Sequence, residues 1–260
     1  MIVRPHIKLN FGLRVLGKRP DGYHDLETLF VPCDAFGDVL EVEPSDEFSL
    51  DIDGPCYRGW DPSEDLCCKA WRLLHSECGA GPVRMHLSKH SPVGAGLGGG
   101  SADAAFALRA LNEMFSLGLQ DADLAAFAAR LGSDCAFFIY DRPMFATGRG
   151  EILEPFDLDL SGYEIRVEVP EGVAVSTREA YAGLQFGTGT ASERHATLQS
   201  VLRLPVRSWR DRLVNDFEAS VFPLHPEISA LKQRFYDEGA AYAAMSGSGS
   251  AVFALFPANK

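Results

Sequence analysis

The chain has 260 residues, 46% of them hydrophobic and 23% charged, and its formal net charge is -12. That balance suits an ordinary globular protein of one large domain or two modest ones. The acidity excludes non-specific nucleic-acid binding, which needs a basic face, but leaves an anionic small molecule open, because backbone amides can hold a phosphate inside an acidic protein.

Read in chain order, MIVRPHIKLN lacks the apolar core of a signal peptide. IKLNFGLRVL (7–16) alternates and predicts a strand. RPDGYH (19–24) carries turn residues, and ETLFVPC (27–33), DVLEVEP (38–44) and FSLDID (48–53) predict further strands. From Ser63 the period becomes helical: SEDLCCKAWRLLHSECG presents Leu66, Ala70, Leu73, Leu74 and Cys78, with Ser63 as the expected cap and Gly79 as the stop. VRMHLS (83–88) reads as a strand. After a glycine stretch, SADAAFALRALNEMFS (101–116) and ADLAAFAARLG (122–132) read as helices, and CAFFIY (135–140) as a short buried strand. Further on come a strand at YEIRVEVP (163–170), a helix at TREAYAGL (177–184) and a loop at QFGTGTAS (185–192). A helix runs over 225–239 between Pro226 and Gly239, and AAYAAMSGSGSAVFALF reads as strand, glycine loop, strand. A domain boundary falls near residues 150–160.

Cys33, Cys56, Cys67, Cys68, Cys78 and Cys135 contain no C-x-x-C pair. With no apolar run near the ~20 residues of a membrane span, the expectation is a cytoplasmic chain with reduced thiols and no membrane or nucleic-acid partner.

The stretch PVGAGLGGGSADAA (92–105) carries the chemistry. Its GAGLGG satisfies the dinucleotide pattern G-x-G-x-x-G, but that fingerprint requires a second strand ending in an acidic residue about 20 positions on. Here Glu113 lies in that region, inside a predicted helix, and another helix follows. No G-x-x-x-x-G-K-[ST] occurs, and no H-R-D or D-F-G follows. A plain flexible turn explains less than the context does. Gly96, Gly98, Gly99 and Gly100 stand at the start of a helix, where unpaired amides and the positive end of the dipole attract an anion. Ser101 is placed to cap the helix or to offer a hydroxyl to phosphate or metal, and Ala102, Ala104 and Ala105 keep the first turn slim. The pattern describes a phosphate cradle that is not of the Walker kind.

PVGAGLGGGSADAA resembles the second motif of the GHMP kinases, the superfamily of galactokinase, homoserine kinase, mevalonate kinase and phosphomevalonate kinase. IKLNFGLRVLGKRPDGYHDLETLF, LGSDCAFFI, GRGEILEP (148–155), NDFE (215–218) and AAMSGSGSAVFALF are similar, in order and over nearly the whole chain, to the branch whose acceptor is 4-diphosphocytidyl-2-C-methyl-D-erythritol. The glycine motif alone marks the superfamily; R-P-D-G-Y-H marks the branch. The resemblance implies an α+β, two-domain fold: an N-terminal domain like the second domain of ribosomal protein S5 over 1–155, and a shortened ferredoxin-like C-terminal domain over 156–260. It implies an enzyme that phosphorylates the 2-hydroxyl of that cytidine diphosphate derivative in non-mevalonate isoprenoid synthesis. ATP and Mg2+ would be cofactors, and the chain a monomer or homodimer.

Carried over residue by residue, the resemblance makes Asp134 the catalytic base and Lys8 its partner. It gives ATP the loop Pro92, Val93, Gly94, Ala95, Gly96, Leu97, Gly98, Gly99, Gly100, Ser101 and Ala102. Asp65 (where the family more often has Asn), Leu66 and Lys89 would lie around adenine. The acceptor would take Asn10, which shares a strand face with Lys8, together with Tyr23, His24, Thr177, Tyr181, Ser246 and Gly247. Ser101 is the candidate metal ligand. Each residue also has a plain structural reading: Asp134 as a turn or cap aspartate, Lys8 as a surface lysine, Asp65 as a helix-terminal acid, Tyr23 as a plug, the C-terminal glycines as a hairpin turn. Two rival functions stand beside the leading one, another small-molecule GHMP kinase of the homoserine or mevalonate type, and an inactive nucleotide-binding relative. The Asp21-Gly22-Tyr23-His24 turn counts against the first, the presence of both Lys8 and Asp134 against the second.

Overall fold

The computed structural model describes residues 1–184 and 198–258. The loop expected at 185–192 lies outside them. In chain order the strands are β1 (Ile2–Val3), β2 (His6–Lys18), β3 (His24–Gly37), β4 (Val39–Pro44), β5 (Ser49–Asp53), β6 (Val83–Ser88), β7 (Met144–Thr147), β8 (Ile152–Pro155), β9 (Tyr163–Glu168), β10 (Tyr242–Met245) and β11 (Val252–Pro257). The helices are α1 (Leu66–Cys78), α2 (Gly99–Met114), α3 (Asp121–Leu131), α4 (Cys135–Tyr140), α5 (Thr177–Ala182), α6 (Phe217–Val221) and α7 (Pro226–Asp237). The chain forms two compact units. The first holds residues 1–8, 32–93 and 98–142; the second holds 9–31, 94–97 and 143–260.

In the first unit a four-stranded sheet runs β1-β4-β6-β5, with β4 antiparallel and β5 parallel to β6. Leu40, Val42, Val83, Met85 and Leu87 turn one face of it inward by the period-2 rule. The helices α1 to α4 pack on one another. In α2, Ala102, Ala104, Ala105, Ala107, Leu108, Ala110 and Leu111 are all buried, so the helix is covered nearly all round. Small side chains make that possible.

In the second unit one sheet runs β2-β3-β7-β8 and another β10-β11-β9, the latter antiparallel throughout. A core of Leu13, Val15, Val175, Phe217, Val221, Ile228 and Phe235 joins strands and helices of this unit.

Three local expectations are corrected. CAFFIY is helix α4, with Cys135 to Ile139 buried and Asp141 closing it in the left-handed region at φ 49°. A six-residue apolar run has no period that separates a buried helix from a buried strand. Ser63 does not cap α1. Asp65 does, accepting from the Cys67 amide, while Ser63 sits inside a single 3-10 turn that Asp61 caps. Ser101 does not cap α2 either: the cap position is Gly98, at φ 75°, and Ser101 is the third helical residue. The strands β7 and β8 and the helix α6 were not anticipated.

Candidate active site

In the first unit, α2 begins at the end of the glycine run. The amides of its first turn have no intrahelical acceptors and point along the positive end of the dipole. Gly98 has to be glycine on two counts. Its φ is left-handed, and a Cβ there would lie 3.1 Å from both Lys8 Cγ and Phe138 Cζ. The start of the cradle therefore rests against the Lys8 side chain. Around Gly100 a Cβ would meet nothing within 4 Å, so that side of the turn is open.

Lys8 Nζ lies 3.5 Å from Asp134 Oδ2, with the lysine side chain 4% and the aspartate 30% exposed. Burial lowers the Lys8 ammonium from its ordinary value, and Asp134 opposes that shift. Asp134 occupies the cap position of α4, yet its carboxylate makes no capping bond. Ser101 hydrogen-bonds Cys135, whose thiol burial pushes up to about 12; that thiol stays protonated and unreactive near neutrality.

The residues expected around adenine are already engaged. Asp65 accepts from Cys67 N at 2.8 Å and from Trp60 Nε1 at 3.0 Å. Lys89 is buried, its ammonium 2.5 Å from both Asp38 and Asp103. Leu66 opens α1 directly after the Asp65 cap.

In the second unit, residues 94–97 of the glycine stretch fit against the C-terminal glycine turn. Ser246, fully buried, donates to the Gly96 carbonyl at 3.1 Å, and Ala251 N donates to Ala95 O at 3.1 Å. A Cβ on Gly96 would stand 2.1 Å from the Ser246 carbonyl, so two backbones meet where only glycine fits. Asn215 clamps the same turn: its Nδ2 donates to Met245 O and Gly247 O, both at 2.8 Å, while Oδ1 accepts from Phe217 N. Asn10 is buried and donates to Thr28 Oγ1 at 3.1 Å, and Thr28 donates to Gly12 O.

Also in this unit, the His24 ring stacks on Tyr181 with centroids 4.4 Å apart, and Tyr181 meets Phe217 edge-on at 4.8 Å. Partial burial, with Lys18 nearby, lowers the His24 imidazole from its usual value, so the ring is neutral at pH 7. Tyr23 is 57% exposed, and the Arg149 guanidinium lies 4.9 Å from its ring centroid. Thr177 Oγ1 and Ser248 Oγ are 3.4 Å apart. The structure thus brings together Lys8 with Asp134, His24 with Tyr181, Thr177 with the C-terminal glycine turn, and Asn10 with Ser246. It also adds Asp38, Asp103, Thr28, Arg149 and Asn215. Asn215 and Arg149 fall in segments already marked by the family resemblance, NDFE and GRGE; nothing local in the sequence marks Asp38.

Comparison with known proteins identifies the family. Residues 65–142 match the family model of the GHMP kinases N terminal domain, and residues 196–260 that of the GHMP kinases C terminal domain. These define the class, a GHMP kinase of the two-domain α+β fold. A protein of Bacteroides thetaiotaomicron named 4-diphosphocytidyl-2-C-methyl-D-erythritol kinase is 48% identical over 260 residues, covering 98% of this chain and 92% of its own length. A crystal structure of 4-(cytidine 5'-diphospho)-2C-methyl-D-erythritol kinase superposes with a TM-score of 0.78 at 35% identity, covering 98% of this chain and 90% of its own. A homoserine kinase structure from Cytophaga hutchinsonii superposes with a TM-score of 0.68 at 18% identity, covering 99% and 86%, and shares the fold alone. The chain belongs to the 4-diphosphocytidyl-2-C-methyl-D-erythritol kinase family, as the motif resemblance implied. Among the described residues, no helix is long and apolar enough to cross a membrane.

Proposed function

We propose that this chain transfers the γ-phosphoryl group of ATP to the 2-hydroxyl of 4-diphosphocytidyl-2-C-methyl-D-erythritol, as the names of its relatives suggest. The observation that carries the reading is the Lys8–Asp134 pair: a buried ammonium 3.5 Å from a carboxylate that spends nothing on capping its helix. In the transfer, Asp134 takes the proton as the hydroxyl oxygen forms its bond to the γ-phosphorus. The bond to the β–γ bridging oxygen breaks, and ADP leaves. Lys8 pairs with Asp134 and offsets charge on the phosphoryl oxygens in flight. The α2 amides at Gly99, Gly100 and Ser101 cradle the phosphates.

His24, neutral at pH 7, and Tyr23 and Tyr181, with their aromatic faces, suit a cytosine ring. Stacked on His24, Tyr181 would exchange that partner for the base. Among the described residues no group of three or more His, Cys, Asp or Glu side chains could hold a metal. That fits Mg2+ carried mainly on ATP phosphate oxygens, with the Ser101 hydroxyl as its candidate protein ligand. Bound there, the ion would neutralise charge on the β- and γ-phosphates. Six free thiols suit the cytoplasm.

The test is ADP release measured with the cytidine acceptor, mevalonate and homoserine in turn. Turnover only with the cytidine acceptor is expected; turnover of mevalonate or homoserine instead overturns the assignment. Asp134→Asn should lower kcat by about 10²–10⁴ with ATP still bound, and near-normal turnover in that variant removes Asp134 from the base role.

A further inference from the structure

Beneath the first turn of α2 lies a buried ionic cluster within the first unit. Asp38, between β3 and β4, accepts from the His90 and Ser91 amides at 2.6 and 2.7 Å and from Lys89 Nζ at 2.5 Å. Lys89, just past β6, also donates to Asp103 Oδ2 at 2.5 Å. Asp103 is the fifth residue of α2. The two carboxylates are not equivalent: Asp38 has three donors, whereas the other oxygen of Asp103 has no partner among the described residues, nor does the buried Ser91 hydroxyl. Burial accordingly raises the Asp103 carboxyl well above its usual range.

Gly99 connects this cluster to the phosphate cradle. A Cβ there would fall 3.1 Å from Ser91 Cβ, 3.6 Å from Lys89 Nζ and 3.7 Å from Asp38 Oδ2. The helix start therefore sits directly on the cluster, and only the missing side chain lets it sit so low. Lys89 is also held by its backbone, its amide on Asp53 O and its carbonyl on Cys56 N, while a Cβ on Gly54 would be 2.5 Å from both Lys89 N and O. An ammonium so enclosed has no free face to turn toward a nucleotide.

We propose that Asp38, Lys89 and Asp103 form a positioning device that ties the first turn of α2 to the ends of β3 and β6, and that Lys89 acts on ATP only through the height it gives the Gly99 and Gly100 amides. This rests on the reading that ATP phosphates bind at α2. A device of this kind affects the phosphate-bearing end of the nucleotide and leaves the nucleoside end alone. A lysine in contact with adenine affects both.

The experiment measures dissociation constants of ATP and of adenosine by calorimetry on the full chain. In Asp103→Leu the Lys89–Asp38 pair remains, so the interior stays charge-balanced while the tether to α2 is cut. ATP is expected to weaken about tenfold and adenosine less than twofold. Asp103→Asn, which keeps an acceptor for Lys89, recovers most of the ATP affinity. Gly99→Ala tests the same step from the helix side without disturbing any charge, and should show the same split, so the proposal stays testable should Asp103→Leu fail to fold. ATP and adenosine weakening equally, or ATP unchanged in folded Asp103→Leu or Gly99→Ala, overturns it. A wild-type chain that does not bind ATP sinks the kinase reading instead; a wild type that binds ATP beside variants without the split sinks this inference alone.

Discussion

Replacing Lys8 with methionine should move activity and stability in different directions. At 3.5 Å the Lys8–Asp134 pair corresponds to about 5 kcal/mol at an effective dielectric constant of about 20. Asp134 is 30% exposed, so water screens part of this. A residue of about 3–4 kcal/mol, the usual worth of one aligned charge on a transition state, lowers kcat about 10²–10³-fold. Stability follows another balance. Burial lowers the pKa of Lys8 in the folded chain, so the folded state binds that proton less tightly than the unfolded one. The penalty is present in full below the folded pKa and disappears only as pH rises toward the ordinary lysine value. Methionine fills a similar volume without that cost, and the carboxylate left behind keeps its solvent contact. Lys8→Met should therefore melt within about 4 °C of wild type or above it, a change of no more than about 1 kcal/mol. ADP release and thermal melting at pH 7 read the two effects. A variant that melts much lower while keeping its kcat would show Lys8 to be structural and refute the reasoning.

Gly98→Ala forces a left-handed φ on alanine and drives a methyl against Lys8 and Phe138; kcat/KM for ATP should fall about 10²-fold, as for an ångström-scale misplacement, with no comparable change in binding of CDP. Asn215→Ala strips a donor from the Met245 and Gly247 carbonyls and an acceptor from the Phe217 amide. It should cost about 3 kcal/mol, about 6–12 °C in melting temperature. Because His24 titrates below 6.5 in the folded chain, KM for the cytidine acceptor should stay flat from pH 8 to 7 and rise as pH falls through that lowered value, while KM for ATP does not follow; in His24→Asn the rise should be absent.

Segments with a strong period or clear punctuation were legible in the sequence. The helix before Gly79 and the one between Pro226 and Gly239 end where the αL glycine and the N1 proline put them. CAFFIY was not legible, because a helix buried on every side carries no amphipathic signal. β2 shows a related ambiguity. IKLNFGL alternates apolar and polar residues, as a half-solvated strand does, yet Lys8 and Asn10 are buried with the rest. An alternating polar residue in the interior needs a partner, and the partners, Asp134 for Lys8 and Ser246 for Asn10, lie too far along the chain for any local pattern to display.

The same separation governs the glycine stretch. Its sequence marks where a backbone comes close to something, but not to what. Gly96 is glycine because of the Ser246 carbonyl, Gly98 because of Lys8 and Phe138, and Gly99 because of Ser91 and the charges behind it. Gly94 and Gly100 face open space. Most of this glycine run therefore lets protein approach protein, which fixes the backbone before any phosphate arrives. A cradle already immobilised by such contacts gives up little entropy on binding. For that reason a methyl group at Gly98 or Gly99, pointing into the protein, should harm ATP binding more than one at Gly100, which points into the open.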